Sequence, residues 1–244
     1  MLELNHVSFQ YAPGRGIVDA SLRIQLGEVL GVIGENGAGK STLLGLAAAA
    51  LIPQSGTITL SVSDLGGRTR RFRSDVGIAY RKRVGYLTEL APVYEDLSVI
   101  RYLKFRAKLR GERFLRIRHR VLEAMERCGL SAVRQEQIAS LSFGFRRRVA
   151  LAEALLTLPP ILVLDDPFAG IDASLQADLP AIIKDISARS HILISGHDPR
   201  LLLACCSAFR VIQKGHLLHD TLSAAEATPY LAGTSTSTQE APPA

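Results

Sequence analysis

The sequence holds three cysteines, Cys128, Cys205 and Cys206, and none stands in a CxxC or zinc-type spacing. That removes a disulfide framework and a structural zinc from consideration. Free thiols in a reducing cytoplasm are the simplest account; the adjacent pair Cys205-Cys206 leaves a redox or metal site as the alternative to reading LLLACCSAF as a buried helical stretch. No stretch reaches the ~18 consecutive apolar residues that a membrane span needs. The opening MLELNHVSFQ carries Glu3 and His6 and has no basic region leading into an apolar one, so it is not read as a signal peptide. No internal repeat is visible, which sets aside solenoids and propellers.

What is present is a chain of 244 residues with 47% hydrophobic side chains, enough to bury a proper core. The net charge of +6 is unevenly placed. Residues 101–120, RYLKFRAKLRGERFLRIRHR, hold nine Arg or Lys against one Glu, so the rest of the chain is slightly acidic. Such a patch suits nucleic acid, an anionic membrane surface or an acidic partner. A solvated helical face explains it equally well.

Apolar periodicity lays out the elements. Residues 2–10 read as a strand, 12–16 as a turn, 17–25 as a return strand, and EVLGVIG as a buried strand ending at Gly34. Lys40 to Ala50 reads as a helix stopped by Pro53, and SGTITL (55–60) as a strand. Residues 61–83 are polar and basic around Gly66-Gly67 and suggest a loop-rich excursion. VGYL (84–87) is a strand; 98–127 is helical, broken at Gly111; Phe145–Leu158 is a helix. ILVLD is a strand behind Pro159-Pro160, Ala173–Ala188 a helix, HILIS (191–195) a strand and Pro199–Ser207 a helix. FRVIQKG (209–215) closes the ordered part, and the tail GTSTSTQEAPPA has no apolar face and is expected to be disordered. Strands alternating with helices imply an α/β fold with a largely parallel sheet, whose ligands bind at the carboxyl ends of the strands.

GENGAGKS, Gly34 to Ser41, fits G-x-x-x-x-G-K-[ST] in full, after a buried strand and before a helix. Such a loop (Gly34, Glu35, Asn36, Gly37, Ala38, Gly39) turns backbone N–H groups toward a phosphate chain at a helix N-terminus. Lys40 then reaches the β- and γ-phosphates, the Ser41 hydroxyl ligates Mg²⁺, and Thr42 bonds an α-phosphate oxygen. The chain is therefore expected to bind a nucleoside triphosphate. ILVLDDPFAG carries two adjacent carboxylates at the mouth of a buried strand, a costly arrangement that normally binds a metal, activates water, or both. Asp165 is the candidate Mg²⁺ ligand and Asp166 the candidate for orienting the attacking water.

Several further segments resemble the motifs of ATP-binding-cassette (ABC) ATPases. LSFGFRRRVALAEAL begins at Leu141 and resembles the family signature, usually LSGGQ followed by a basic stretch and a helix. DDPFAGID resembles the Walker B and D-loop run, ILISGHD the switch-histidine strand with the switch at His197, and VSFQY the adenine-stacking loop with Tyr11. The resemblance covers roughly residues 1–220 and implies a P-loop NTPase fold. Its parts are a mostly parallel core sheet, an antiparallel β-subdomain and a helical subdomain at about 91–156, all in an ATP-binding domain over 1–231. It implies ATP and Mg²⁺ as ligands and a head-to-tail dimer, homo- or heteromeric. In that dimer Ser142 and the Gly144 backbone contact the γ-phosphate held by the partner.

Four positions depart from the family pattern. Phe143 and Phe145 replace the usual Gly and Gln of the signature. Glu89, in VGYLTEL, replaces the usual Gln that offers a neutral carbonyl to Mg²⁺ or water; as a carboxylate it remains a metal and catalytic candidate. Asp166 replaces the usual Glu. VGYLTELAPVYEDLSV together with the signature looks most like the ATPases of ABC-2-type exporters, including a branch associated with gliding motility. The implied function is an ATP-hydrolysing subunit, peripheral on the cytoplasmic face of the membrane, driving an exporter whose membrane-spanning permease is a separate chain. The alternative is a soluble ABC ATPase, such as one that assists iron–sulfur cluster assembly. A nucleic-acid machine is not expected: there is one cassette, and the 100-residue interval from Ser41 to Leu141 lacks sustained heptads.

Overall fold

The computed structural model describes residues 1–63, 69–75, 77–218 and 221–231. Gly66-Gly67 and the tail from 232, on which two sequence expectations fall, lie outside the described residues.

The core is a six-stranded sheet in the order β10-β9-β3-β8-β7-β6, formed by β3 (Val29–Ile33), β6 (Val84–Leu87), β7 (Ile161–Asp165), β8 (His191–Ser195), β9 (Ala208–Gln213) and β10 (His216–Leu217). Its pairings are parallel except for the edge hairpin β9-β10. β3, β7 and β8 are buried at every residue, as a parallel sheet covered on both faces requires. The period of two then sorts each strand between two cores. Ile161, Val163, Leu193, Leu30 and Val32 face one core, while Leu162, Leu164, Ile192, Ile194, Val29 and Ile33 face the other.

The first core is closed by α1 (Lys40–Ala47) and a four-stranded antiparallel sheet, β2-β1-β4-β5. That sheet comprises β1 (Leu2–Ala12), β2 (Arg15–Ile24), β4 (Ser55–Ser63) and β5 (Thr69–Arg73). The second core is closed by helices: α3 (Val99–Leu109), α4 (Phe114–Arg127), a 3-10 turn at Ile138–Ser140, α5 (Phe143–Leu155), α6 (Ala173–Ser187), α7 (Pro199–Cys205) and α8 (Ala224–Leu231). The three cysteines are free and buried in it, and burial pushes the Cys128 thiol up to about 12.

Several sequence expectations need correction. Among its described residues the excursion 61–83 is mostly regular: β4 runs on to Ser63, β5 pairs with it antiparallel, and a short helix α2 (Ile78–Arg81) follows. β5, TRRFR, was hidden because its exposed arginines on an edge strand mimic a polar loop. The ordered part does not close at 215 but continues into α8, whose start is a reciprocal capping box. The Ser223 N–H donates to the Glu226 carboxylate and the Glu226 N–H to the Ser223 hydroxyl. α5 begins at Phe143, not Phe145, because Ser142 is the N-cap and its hydroxyl accepts from Phe145 N at 3.4 Å. α1 stops at Ala47 rather than Ala50, with Ala49 in the left-handed region at φ 54°.

The basic stretch 101–120 is not a single surface. Arg106 and Arg110 turn inward to Glu153 on α5, which is 7% exposed. Arg106 Nε donates to Glu153 at 2.7 Å, the Tyr102 hydroxyl donates to the same carboxylate, and Arg110 also donates to Val84 O at 3.0 Å. This cluster fastens α3 to α5 and to the edge strand β6. Removing one member of such a cluster leaves buried charge without its partner, so Glu153→Ala should cost about 3 kcal/mol, the low end of the range because Arg106 keeps some solvent. Urea unfolding at constant m value measures it. A loss below ~1 kcal/mol would rank the cluster with ordinary surface pairs.

Candidate active site

The site begins where β3 hands the chain to α1. At Gly34, φ is 156° and a Cβ would sit 2.2 Å from Ile212 O; at Gly39, φ is 114° and a Cβ would sit 2.8 Å from Ile17 and 2.9 Å from Gly16 O. Only glycine fits either place, so the loop is pinned between β9 and the start of β2. Gly39 is also the N-cap of α1, and no side chain caps that helix. Its first-turn N–H groups and the positive end of its dipole are therefore left for a ligand. Lys40 is buried and folds back over the loop, its Nζ donating to Gly34 O at 2.7 Å and Glu35 O at 2.9 Å. Ala38 holds the loop's shape by donating to Glu35 O at 3.2 Å and accepting from Gly215 N at 2.9 Å. Asn36, Gly37 and Ser41 are exposed, and Thr42 is buried one step into the helix.

The carboxylates arrive from the neighbouring strands. Asp165 ends β7 directly beside Ser195, which ends β8. The Ser195 hydroxyl donates to Asp165 Oδ1 at 2.6 Å, and Asp165 is 5% exposed. Asp166 follows with a left-handed φ of 49°, its N–H donating to Ser195 O at 3.1 Å. Backbone in that region is costly for a side-chain-bearing residue and collects at functional sites. Burial pushes the Asp166 carboxyl up, against the pull of His197 and Arg147. Burial likewise pushes the Lys40 ammonium down, opposed by Asp165, then Asp166, then Glu89. Four segments remote in sequence thus converge at the carboxyl ends of β3, β6, β7 and β8, where a doubly wound sheet places its ligand.

The other expected residues sit around this centre. Tyr11, near the end of β1, is 65% exposed and meets Phe9 edge-on with ring centroids 4.9 Å apart. Its strand pairs with β2, whose Gly16 abuts Gly39, so Tyr11 flanks the loop. Glu89 and His197 are both exposed, beyond the ends of β6 and β8. Ser142 and Gly144 are not drawn into the Lys40 cluster. They open α5, with Ser142 exposed, Phe143 63% exposed with its ring against Gly170, and Gly144 close to Gly170 O. The departure at Phe143 therefore packs on the chain's own D-loop. Two residues were missed: Ser195, inside the quoted ILISGHD, and Arg147, inside the basic stretch of the signature. Neither carries a signal until the pairing of β7 with β8 and the direction of α5 are known.

The donor set fits a nucleoside triphosphate with Mg²⁺. The uncapped helix and the lysine match a polyphosphate chain, and a hydroxyl with a buried carboxylate are the hard oxygen donors Mg²⁺ takes.

The ABC transporter family model matches residues 17–169. The lipopolysaccharide export system ATP-binding protein LptB of Escherichia coli K12 is 31% identical over 219 residues, 89% of this chain and 88% of LptB. An ABC transporter ATP-binding protein of Lactiplantibacillus plantarum is 30% identical over 224 residues, and the match covers 90% of this chain but 38% of that longer protein. Among solved structures, the dimeric ATP-binding cassette MJ0796 bound to ADP and Pi has a TM-score of 0.77 at 19% identity, covering 92% of this chain and 99% of that one, and so shares the fold. With the family model spanning more than half of it and an LptB match along nearly its whole length, the chain belongs to the ABC transporter family.

Proposed function

We propose that this chain is the ATP-binding and ATP-hydrolysing subunit of an ABC exporter, working on a membrane-spanning permease supplied as a separate chain. The observation that carries the reading is the meeting of the Lys40 loop with Asp165, Asp166 and Glu89 at the strand ends. The exporter assignment is supported by LptB, which is named for an export system, and by the resemblance of the Glu89 region to ABC-2-type ATPases. No described helix is long and apolar enough to cross a membrane, so the reading assigns the membrane path to the partner and places this subunit peripherally on the cytoplasmic face. The cassette is taken as residues 1–231, with the helical layer at about 91–156 meeting the permease.

In this reading the Gly34–Gly39 backbone and Lys40 hold the phosphates, Thr42 adds an α-phosphate bond, and Tyr11 stacks on the adenine. Ser41 and Asp165 hold Mg²⁺, with Glu89 as a further oxygen donor; the ion neutralises phosphoryl charge. Ser195 fixes the Asp165 carboxylate for that task. Asp166 orients and deprotonates the attacking water, and His197 stands beside it as the switch. Ser142 and Gly144, at a second helix N-terminus, contact the nucleotide held by another cassette. Their contacts exist only in the closed dimer, so ATP favours closure through them and hydrolysis releases it.

Lys40→Ala should abolish tight ATP binding, because the phosphate charge loses its main side-chain partner while the N–H cradle stays. Calorimetric titration checks it, and wild-type affinity in the variant contradicts the reading. Asp166 tests the chemistry separately. Its carboxylate sits back by one C–C bond, about 1.5 Å, from where a Glu would place it. A displacement of about 1 Å can cost on the order of 10²-fold in rate. Asp166→Glu should therefore turn over faster than wild type, and Asp166→Asn should be nearly inactive at similar ATP affinity. Wild-type turnover by Asp166→Asn would remove Asp166 from the chemistry.

A further inference from the structure

Arg146, Arg147 and Arg148 are consecutive on α5, so the helix period of about 100° per residue sends them in three directions. Arg146 meets Glu95 at 3.5 Å, and Arg148 pairs with Asp172 and donates to Cys128 O. Arg147 points into the protein and is 3% exposed. Its partners are backbone carbonyls: Nη1 donates to Glu89 O, and Nη2 donates to Asp166 O and, at 3.3 Å, to Asp165 O. Its Nε has no partner among the described residues.

A buried guanidinium normally takes a carboxylate. Here the carboxylates of Asp166, Glu89 and Asp165 favour its charge from nearby, yet the fork grips the main chain instead. The carboxylate oxygens stay free of it. The Asp166 peptide is held from both sides, its N–H by Ser195 and its carbonyl by Arg147. That matters for a residue at φ 49°, whose backbone has alternatives of lower energy. The other arm of the fork holds the turn that carries Glu89, the point where the chain leaves β6 for the helical layer.

We infer that Arg147 is a positioning residue. Its fork ties the Glu89 turn to the Asp165–Asp166 strand end, so that movement of the turn is passed to the backbone of Asp166. The inference rests on the ATPase reading for its consequence, while the tie itself exists without nucleotide. The device needs a planar fork, because one arm serves each segment. A lysine keeps the charge but is a compact point donor without that span.

The experiment compares wild type, Arg147→Gln and Arg147→Lys in two measurements. The first is amide hydrogen exchange of the full chain without nucleotide, read at residues 88–91 and 166–169. Arg147→Gln should speed exchange in both segments together, and Arg147→Lys should leave at least one of them loosened. The second is steady-state ATPase activity. Both variants should lose on the order of 10²-fold in kcat, the cost of a misplacement near 1 Å, with KM changed by less than about threefold. Unchanged exchange in Arg147→Gln, or wild-type turnover in Arg147→Lys, overturns the inference; the second result would reduce Arg147 to a charge. Should Arg147→Gln fail to fold, the lysine variant, which keeps the buried charge, decides alone. A chain that binds no ATP would sink the ATPase reading but leave the exchange test of the tie intact.

Discussion

The molecule depends on a buried ammonium placed against carboxylates at the end of a buried sheet. Lys40 loses solvation by burial, and Asp165, Asp166 and Glu89 offset part of that loss. Lys40 and Asp165 are the two buried there, and a charge buried without a partner is costly. They are kept together by β7 and β8, in register at Asp165 and Ser195, and by a loop whose glycines lie close against β9 and the start of β2. In the proposed function the ammonium faces the polyphosphate chain, and the carboxylates are the oxygen donors that would take a metal ion.

Both outer layers bear on this point. The antiparallel sheet supports the phosphate loop from one side through Gly16 and Ile17. The helical layer reaches it from the other side through Arg147 and is itself tied to β6 by the Glu153 cluster. The backbone also bears on the identity of residue 166. Its φ of 49° lies in a region where Asp is enriched several-fold over most residues. The shorter carboxylate thus suits the backbone it sits on, at the expense of reach toward a water.

Much of this was legible in the sequence because it is local. The phosphate loop, the strand ending in two aspartates, the histidine after HILIS and the break at Gly111 are each written within a dozen residues, and each lies where its pattern puts it. The misses are of three kinds. β5 is an edge strand with exposed arginines, so its pattern is that of a loop. α8 carries a readable Ser223–Glu226 capping box that was passed over in an Ala-rich stretch. Arg106 and Arg110 were counted as surface charge and Arg147 only as part of the basic stretch of the signature, because a charge count cannot show that Glu153 or a row of carbonyls faces them. That knowledge comes only from the packing of α3, α5 and β6.

The central claim is that the uncapped helix and Lys40 form a site for a polyphosphate chain rather than for a nucleoside. The most direct test is calorimetric titration of the full chain with ATP, ADP and AMP at constant Mg²⁺ and salt. One charge-assisted hydrogen bond contributes about 1.5 kcal/mol or more, which is about tenfold in affinity. ATP and ADP should therefore bind at least about tenfold more tightly than AMP. Equal affinity for the three would contradict the account, since binding would then owe nothing to the β-phosphate that Lys40 and the loop are built to hold.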